Sequence, residues 1–239
     1  MFNAEELNSW IANVGRHLDE HCSAYLIGGC AMCFKGLKPS TKDIDIIIAS
    51  KKEFDAFDNA VIKAGFKRST NMKDEFYLTA LAVYEKEDSR IDVFLKEVGK
   101  MLKFASAMKQ RAKLYKSIGN LKVYTASSED IFLFKAMTSR AADINDCDRL
   151  MREDLNYDAI YEECMSQSNN EKKWYFWLYE KLCAIENMNS IASPIKSRVY
   201  AAVKENWKYR PSDFMSDIPN VEVHIPDKKL AEEVKHGGK

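Results

Sequence analysis

The chain has 239 residues with 36 basic and 36 acidic side chains, so its formal net charge is zero and a uniformly basic nucleic-acid coat is excluded. Apolar residues make up 46% and charged residues 30%, enough for a core under a wet surface, and no run approaches the roughly 18 apolar residues that a membrane helix needs. Scarce glycine and proline exclude low complexity, and six cysteines behind the polar, acidic start MFNAEELNSW fit reduced thiols in a cytoplasmic protein better than a secreted disulfide scaffold.

In chain order, residues 3–20 predict an amphipathic helix. Asn3 and Glu6 make a capping-box start, and Leu7, Ile11, Val14 and Leu18 form one stripe. Residues 24–27 read as a short strand running into Gly28-Gly29, followed by a helix to about Phe34. Residues 43–49 read as a buried strand, because Ile44, Ile46, Ile47 and Ile48 leave little polar surface. A helix over 51–64 stops at Gly65. The β-rich runs 76–84 and 90–96 suit the two arms of a hairpin across the charged turn 85–89. Residues 100–117 predict a helix with Gly119-Asn120 as its stop, and 121–125 one more strand. Ser127 or Ser128 caps a helix opening with Glu129-Asp130, and helices continue to about residue 205. The remainder, with Pro211, Pro219 and Pro226, reads as irregular apart from a strand pattern at 221–225. The expected fold class is α+β. A small mixed sheet with flanking helices fills 1–125, a helical domain closing a cleft fills 126–205, and an irregular extension fills 206–239.

Charge is unevenly spread. Lys100, Lys103, Lys109, Arg111, Lys113, Lys116 and Lys122 stand in a stretch without an acid, whereas 129–163 holds ten acids and four bases. Such a block suits either a partner-binding face or an ordinary solvated one.

The informative segment is 25–48, YLIGGCAMCFKGLKPSTKDIDIII. Asp43 and Asp45 are two apart, so on a strand both carboxylates leave the same face. Side-by-side carboxylates repel, and a hard cation such as Mg²⁺ relieves that while keeping positions open for phosphate oxygens. Gly28-Gly29 between strand and helix exposes backbone N–H groups where a phosphate can approach. Asp-x-Asp alone is a weak signal, since Asp146/Asp148 repeats it; the strand, Gly-Gly, helix, Gly36, Thr41 and Asp-Ile-Asp order is stronger.

That order, Gly28-Gly29 … Gly36 … Thr41-x-Asp43-Ile44-Asp45, resembles the signature of the DNA polymerase β-type nucleotidyltransferase superfamily. Within it, the segment is most similar to the small prokaryotic branch that includes AbiE-type toxins. The stretch 127–150 resembles the second block of these proteins, a capped helix with a lysine followed by Arg-x-x-Asp-x-x-Asp, here Lys135, Arg140, Asp143 and Asp146. CCA-adding and poly(A) polymerases share the first block but follow it with Arg-Asp, where this chain has Ala31-Met32.

The resemblance implies a third carboxylate from a neighbouring strand, for which Asp92 in Ser89-Arg90-Ile91-Asp92 is the best placed, with Asp74 and Asp88 as alternatives. It implies two Mg²⁺ ions on Asp43, Asp45 and Asp92, and nucleotide contacts from Gly28, Gly29, Thr41, Lys135, Arg140 and Asp143. The implied activity moves a nucleoside monophosphate from an NTP such as ATP to a hydroxyl, releasing pyrophosphate. RNA such as a tRNA end is the favoured acceptor, through Lys100, Lys103, Lys109, Arg111, Lys113 and Lys116. A small molecule or a protein hydroxyl is the alternative, as is a non-catalytic nucleotide-binding module. A toxin paired with an antitoxin also follows from the branch. Two departures bear on nucleotide affinity or acceptor choice: Ala142 stands where a base often precedes the first acid of the second block, and Pro39, beside Lys38, stands where an arginine often precedes the threonine.

Other patterns read more plainly. Cys30-x-x-Cys33 lacks a second pair and fits buried thiols. His17, His21, His224 and His236 have no ligand spacing. Trp174, Trp177, Leu178, Leu182 and Ile185 fall at helical spacing and suit a core stripe.

Overall fold

A computed structural model describes residues 2–69, 80–87, 89–98, 102–138, 140–169 and 172–206. Asp74, Asp88, Lys100, the first part of the predicted arm 76–84, His224, His236 and the extension with its strand pattern lie outside the described residues. The chain divides into two compact units, Met1–Ser127 and Ser128–Lys239.

The first unit has strands β1 (Cys22–Leu26), β2 (Asp43–Ile48), β3 (Lys67–Arg68), β4 (Ala82–Lys86), β5 (Ser89–Leu95), β6 (Glu97–Val98), β7 (Leu102–Lys103), β8 (Lys113–Ile118) and β9 (Leu121–Thr125). Its helices are α1 (Ala4–Arg16), α2 (Gly28–Phe34), α3 (Lys51–Lys63) and α4 (Ser106–Arg111). Among the described residues seven strands form one mixed sheet in the order β3-β4-β5-β2-β1-β9-β8, and β6 and β7 make a separate ribbon. The sheet is mixed because β2 pairs parallel to β5 and antiparallel to β1, while β1 pairs parallel to β9.

Alternation gives the sheet two unlike faces. Cys22, Ala24 and Leu26, with Ile44, Ile46 and Ile48, Ile91 and Val93, and Leu121 and Val123, are all buried on one of them. Helix α3 lies on that side, where the Tyr84 hydroxyl donates to Asp58, and α1 packs against α3 through Trp10 and Phe57, ring centroids 6.3 Å apart. Each fully buried Ile or Phe contributes roughly 1.5–3 kcal/mol, so this layer holds the unit together. The opposite face carries Tyr25, Tyr124, Asp43, Asp45, Arg90 and Asp92.

Local chemistry explains the elements. The capping box at the start of α1 is complete: Asn3 Oδ1 accepts from the Glu5 and Glu6 amides at 2.9 Å, and Glu6 accepts from the Asn3 amide at 2.8 Å. The helix ends at Arg16, short of the expected residue 20, and Leu18 keeps its buried place beyond it. Gly65 takes φ +93° after α3, a conformation that favours glycine. The expected hairpin is present as β4 and β5, paired to Lys86 opposite Ser89.

The expected helix over 100–117 is a correction. Among the described residues of that range only Ser106–Arg111 is helical, and Lys113–Ile118 is an edge strand paired antiparallel to β9. Gly119-Asn120, expected as a helix stop, is instead a two-residue hairpin turn, with Gly119 at φ +55°. The pairing available to Leu114, Lys116 and Ile118 across that turn outweighed the helical preference of the lysine-rich run.

The second unit contains α5 (Ser128–Ala136), α6 (Ala141–Met151), α7 (Tyr157–Gln167), α8 (Trp174–Asn189) and α9 (Lys196–Asn206). Residues 130–136 of α5 are buried all round, as befits a central helix, and α6, α7 and α8 pack on it. Trp174, Leu178, Leu182 and Ile185 are core residues. All six cysteines are buried and none forms a disulfide. No helix among the described residues is long and apolar enough to cross a membrane.

Candidate active site

Parallel pairing of β2 with β5 sets Asp45 opposite Asp92 and Asp43 opposite Arg90. Register partners project from the same face, so Asp43, Asp45 and Asp92 share one side of two adjacent strands. On the other flank of β2, the Ile27 amide donates to the Asp45 carbonyl at 3.1 Å, which brings the end of β1 beside the acids. Gly28 follows at φ +59°, and a β-carbon there would collide with the Asp45 carboxylate. A β-carbon on Gly29 would lie 2.5 Å from Thr41 Oγ1 and 4.0 Å from Lys38 Nζ. The two glycines thus leave room that the carboxylate and hydroxyl occupy. Thr41 is buried. It exchanges backbone hydrogen bonds with Phe2 at 2.7 and 2.8 Å, and its hydroxyl donates to the Asp43 carbonyl at 3.1 Å, fixing the entry into β2.

Asp92 is the electrostatic centre. It is 0% exposed. Its Oδ1 accepts from Arg90 Nε at 2.9 Å, and its Oδ2 finds no hydrogen-bond partner among the described residues. Burial raises its carboxyl to about 6; Arg90 opposes the rise, and the negative charges of Asp43 and Glu85 add to it. A buried carboxylate oxygen without a partner is costly and is satisfied by a cation. Among the described residues no three His, Cys, Asp or Glu groups are already gathered around an ion-sized space. The donor chemistry nevertheless fits Mg²⁺: three carboxylates on one face, one with an unsatisfied oxygen.

The second motif forms a separate cluster inside the helical unit. Lys135 is buried, with Nζ 2.7 Å from Asp143 Oδ1 and 2.7 Å from Asp146 Oδ2. Thr138 Oγ1 donates to Asp143 Oδ2 at 2.5 Å, Arg140 Nε donates to the same oxygen at 2.9 Å, and Lys181 Nζ donates to the Thr138 carbonyl at 2.7 Å. Burial alone would lower the Lys135 pKa, but Asp143 and Asp146 outweigh it and hold the ammonium above the ordinary lysine value. Burial alone would raise Asp143; Lys135 and Arg140 outweigh that and hold it below the ordinary carboxylate value. Asp143 and Asp146, for which a solvated face was open, are therefore the buried partners of Lys135.

The structure places Gly28, Gly29, Thr41, Asp43, Asp45 and Asp92 on neighbouring elements of the first unit, the three acids on one sheet face without gathering them, and brings Lys135, Arg140, Asp143 and Asp146 together in the second. Arg90 is the residue that sequence reasoning missed. Its signal was present, because Arg-x-Asp on a strand shares a face. Thr138 and Lys181 join their cluster through chain folding that carries no local pattern. A depression of about 460 Å³ lined by Asp19, Glu20, Lys52, Asp55, Ala56 and Asn59 involves none of these residues.

Residues 5–183 of the 239 match the family described as a nucleotidyltransferase of unknown function (DUF6036). No curated protein matches the chain.

Proposed function

The chain belongs to that nucleotidyltransferase family, and from this premise we propose that it transfers a nucleoside monophosphate from an NTP to a hydroxyl acceptor in a Mg²⁺-dependent reaction. The observation that carries the reading is the unsatisfied Oδ2 of buried Asp92, in register with Asp45 and beside the Gly28 contact. Asp43, Asp45 and Asp92 would hold the metal, which supplies charge neutralisation for the α-phosphate and the leaving pyrophosphate. The chain's own residues do the rest. Thr41 orders the first acid, Gly28 and Gly29 let backbone approach phosphate, and Asp92 takes the proton of the attacking hydroxyl. The acceptor oxygen bonds to the α-phosphorus, the bond to the bridging oxygen breaks, and pyrophosphate leaves. Within the second motif, the Arg140 side chain is 49% exposed and can meet an anion from solvent, whereas Lys135, at 8%, is held by Asp143 and Asp146.

RNA is the favoured acceptor. Lys103 on β7, Lys109 on α4, and Lys113 and Lys122 on the β8–β9 hairpin are exposed, with Leu114 and Tyr115 of the hairpin also open to solvent. Tyr25 and Tyr124 stack at 5.0 Å on the acid-bearing face, a surface on which bases can lie. Likeness to AbiE-type toxins extends the reading to a toxin neutralised by an antitoxin. A nucleotide-binding module without turnover is the second reading, favoured by the engagement of Asp92 with Arg90. The test incubates the protein with α-labelled NTPs, Mg²⁺ and either total RNA or cell protein. Label on RNA supports the proposal, and label on protein or on a small molecule reassigns the acceptor. No transfer, with nucleotide-dependent thermal stabilisation that survives Asp43→Asn/Asp45→Asn, selects the binding module.

A further inference from the structure

The three acids share their face with a cation. Arg90 stands two residues before Asp92 on β5, opposite Asp43 of β2 on one side and opposite Glu85 of β4 on the other. Its Nε bonds Asp92 Oδ1 at 2.9 Å, and its side chain is 27% exposed while that of Asp92 is sealed. A buried carboxylate needs a counter-charge, and among the described residues this guanidinium is the one in contact with it. A divalent ion held by Asp43, Asp45 and Asp92 needs the same carboxylate, and it repels a guanidinium at that distance.

We propose that Arg90 is a positioning residue of the acid cluster: its guanidinium is the resident counter-cation of Asp92, and a divalent ion must displace it to complete the site. The inference rests on the metal-dependent reading above. It explains why acids that share a face and a register are not already gathered: Asp92 is held on Arg90 until an ion draws it across. Arg90 and the ion thus occupy Asp92 in turn, and the free energy of breaking the guanidinium contact is subtracted from metal affinity.

The test counts bound Mn²⁺ by electron paramagnetic resonance on the full chain at pH 8, for the native protein, Arg90→Gln, Asp92→Asn and the double variant. Arg90→Gln is expected to bind Mn²⁺ roughly tenfold tighter, the scale of losing one charge-assisted hydrogen bond. The gain is expected to vanish in the Asp92→Asn background, where no carboxylate remains to compete for. A gain that persists there means that Arg90 acts by charge alone and overturns the proposal. Equal affinity in the native and Arg90→Gln proteins overturns it while the metal reading stands. Failure of every form to bind Mn²⁺ overturns both. If Arg90→Gln does not fold, the native protein supplies the answer. The Arg90 Nε–Hε resonance should move as Mg²⁺ saturates the site, and a resonance that stays put while the Asp45 amide shifts contradicts the displacement.

Discussion

Gly28 and Gly36 make a matched pair of perturbations. Both hold positive φ, +59° and +73°, so an alanine at either costs on the order of 1 kcal/mol in backbone strain. Their surroundings differ. A β-carbon at Gly36 meets nothing within 4 Å, whereas at Gly28 it strikes the Asp45 carboxylate. The atom it meets is the far end of the Asp45 side chain, which can swing aside, so the clash displaces the carboxylate at little further cost in stability. At about 2–4 °C per kcal/mol for a chain of this size, Gly36→Ala and Gly28→Ala should each lower the melting temperature by a few degrees. The decisive readout is Mn²⁺ affinity, measured with thermal melting on both variants. Gly36→Ala should bind as the native protein does, and Gly28→Ala should lose most of its binding because Asp45 is pushed aside. Native-like Mn²⁺ binding by a folded Gly28→Ala protein would refute the claim that this glycine exists to seat Asp45.

The other predictions concern charge. Asp92 has its folded-state pKa raised from 3.8 to about 6, so the folded apo protein holds that proton longer than the unfolded chain and loses stability as pH rises from about 4 through 6. At 1.36 kcal/mol per unit the loss is on the order of 3 kcal/mol, so in chelator Asp92→Asn should be more stable than the native protein at pH 8 and not at pH 4; denaturant midpoints that track each other across this range contradict it. Lys135→Met leaves Asp143 and Asp146 without their buried ammonium and should cost about 3–5 kcal/mol in urea unfolding at pH 7. The Asp143 contribution is present above its unfolded pKa of about 4 and is lost as pH falls through its lower folded value, so the gap between native and variant should close in strong acid; a gap that stays constant there refutes the assignment. Replacing Lys109, Lys113 and Lys122 with alanine should weaken RNA binding at low salt and flatten the log–log salt slope by about 0.7 per lost phosphate contact, and an unchanged slope removes the hairpin from the interface.

What was legible in the sequence had local causes. The capping box at Asn3 and Glu6, the Ile-rich β2 and the glycine after α3 each follow from a few neighbouring residues. The position of Asp92 was legible because strand alternation and the β4–β5 hairpin are short-range, although its depth of burial came from packing. Residues 113–118 were misread because lysine-rich runs favour helix, while the pairing that made them a strand lies across the Gly119-Asn120 turn. The Arg90 contact was there to be read from the Arg-x-Asp spacing on a strand and was overlooked, whereas the Lys181 to Thr138 bond needed a three-dimensional neighbour that no spacing announces. Lys135 shows the limit from the other side: its motif was visible, its burial between two carboxylates was not.

The most direct measurement is a crystal structure of the protein with Mg²⁺ and a non-hydrolysable NTP analogue. An oxygen from each of Asp43, Asp45 and Asp92 should lie about 2.0–2.1 Å from an ion that also touches the triphosphate. Magnesium seated elsewhere, with Asp92 still on Arg90 and the three carboxylates turned apart, would contradict the account.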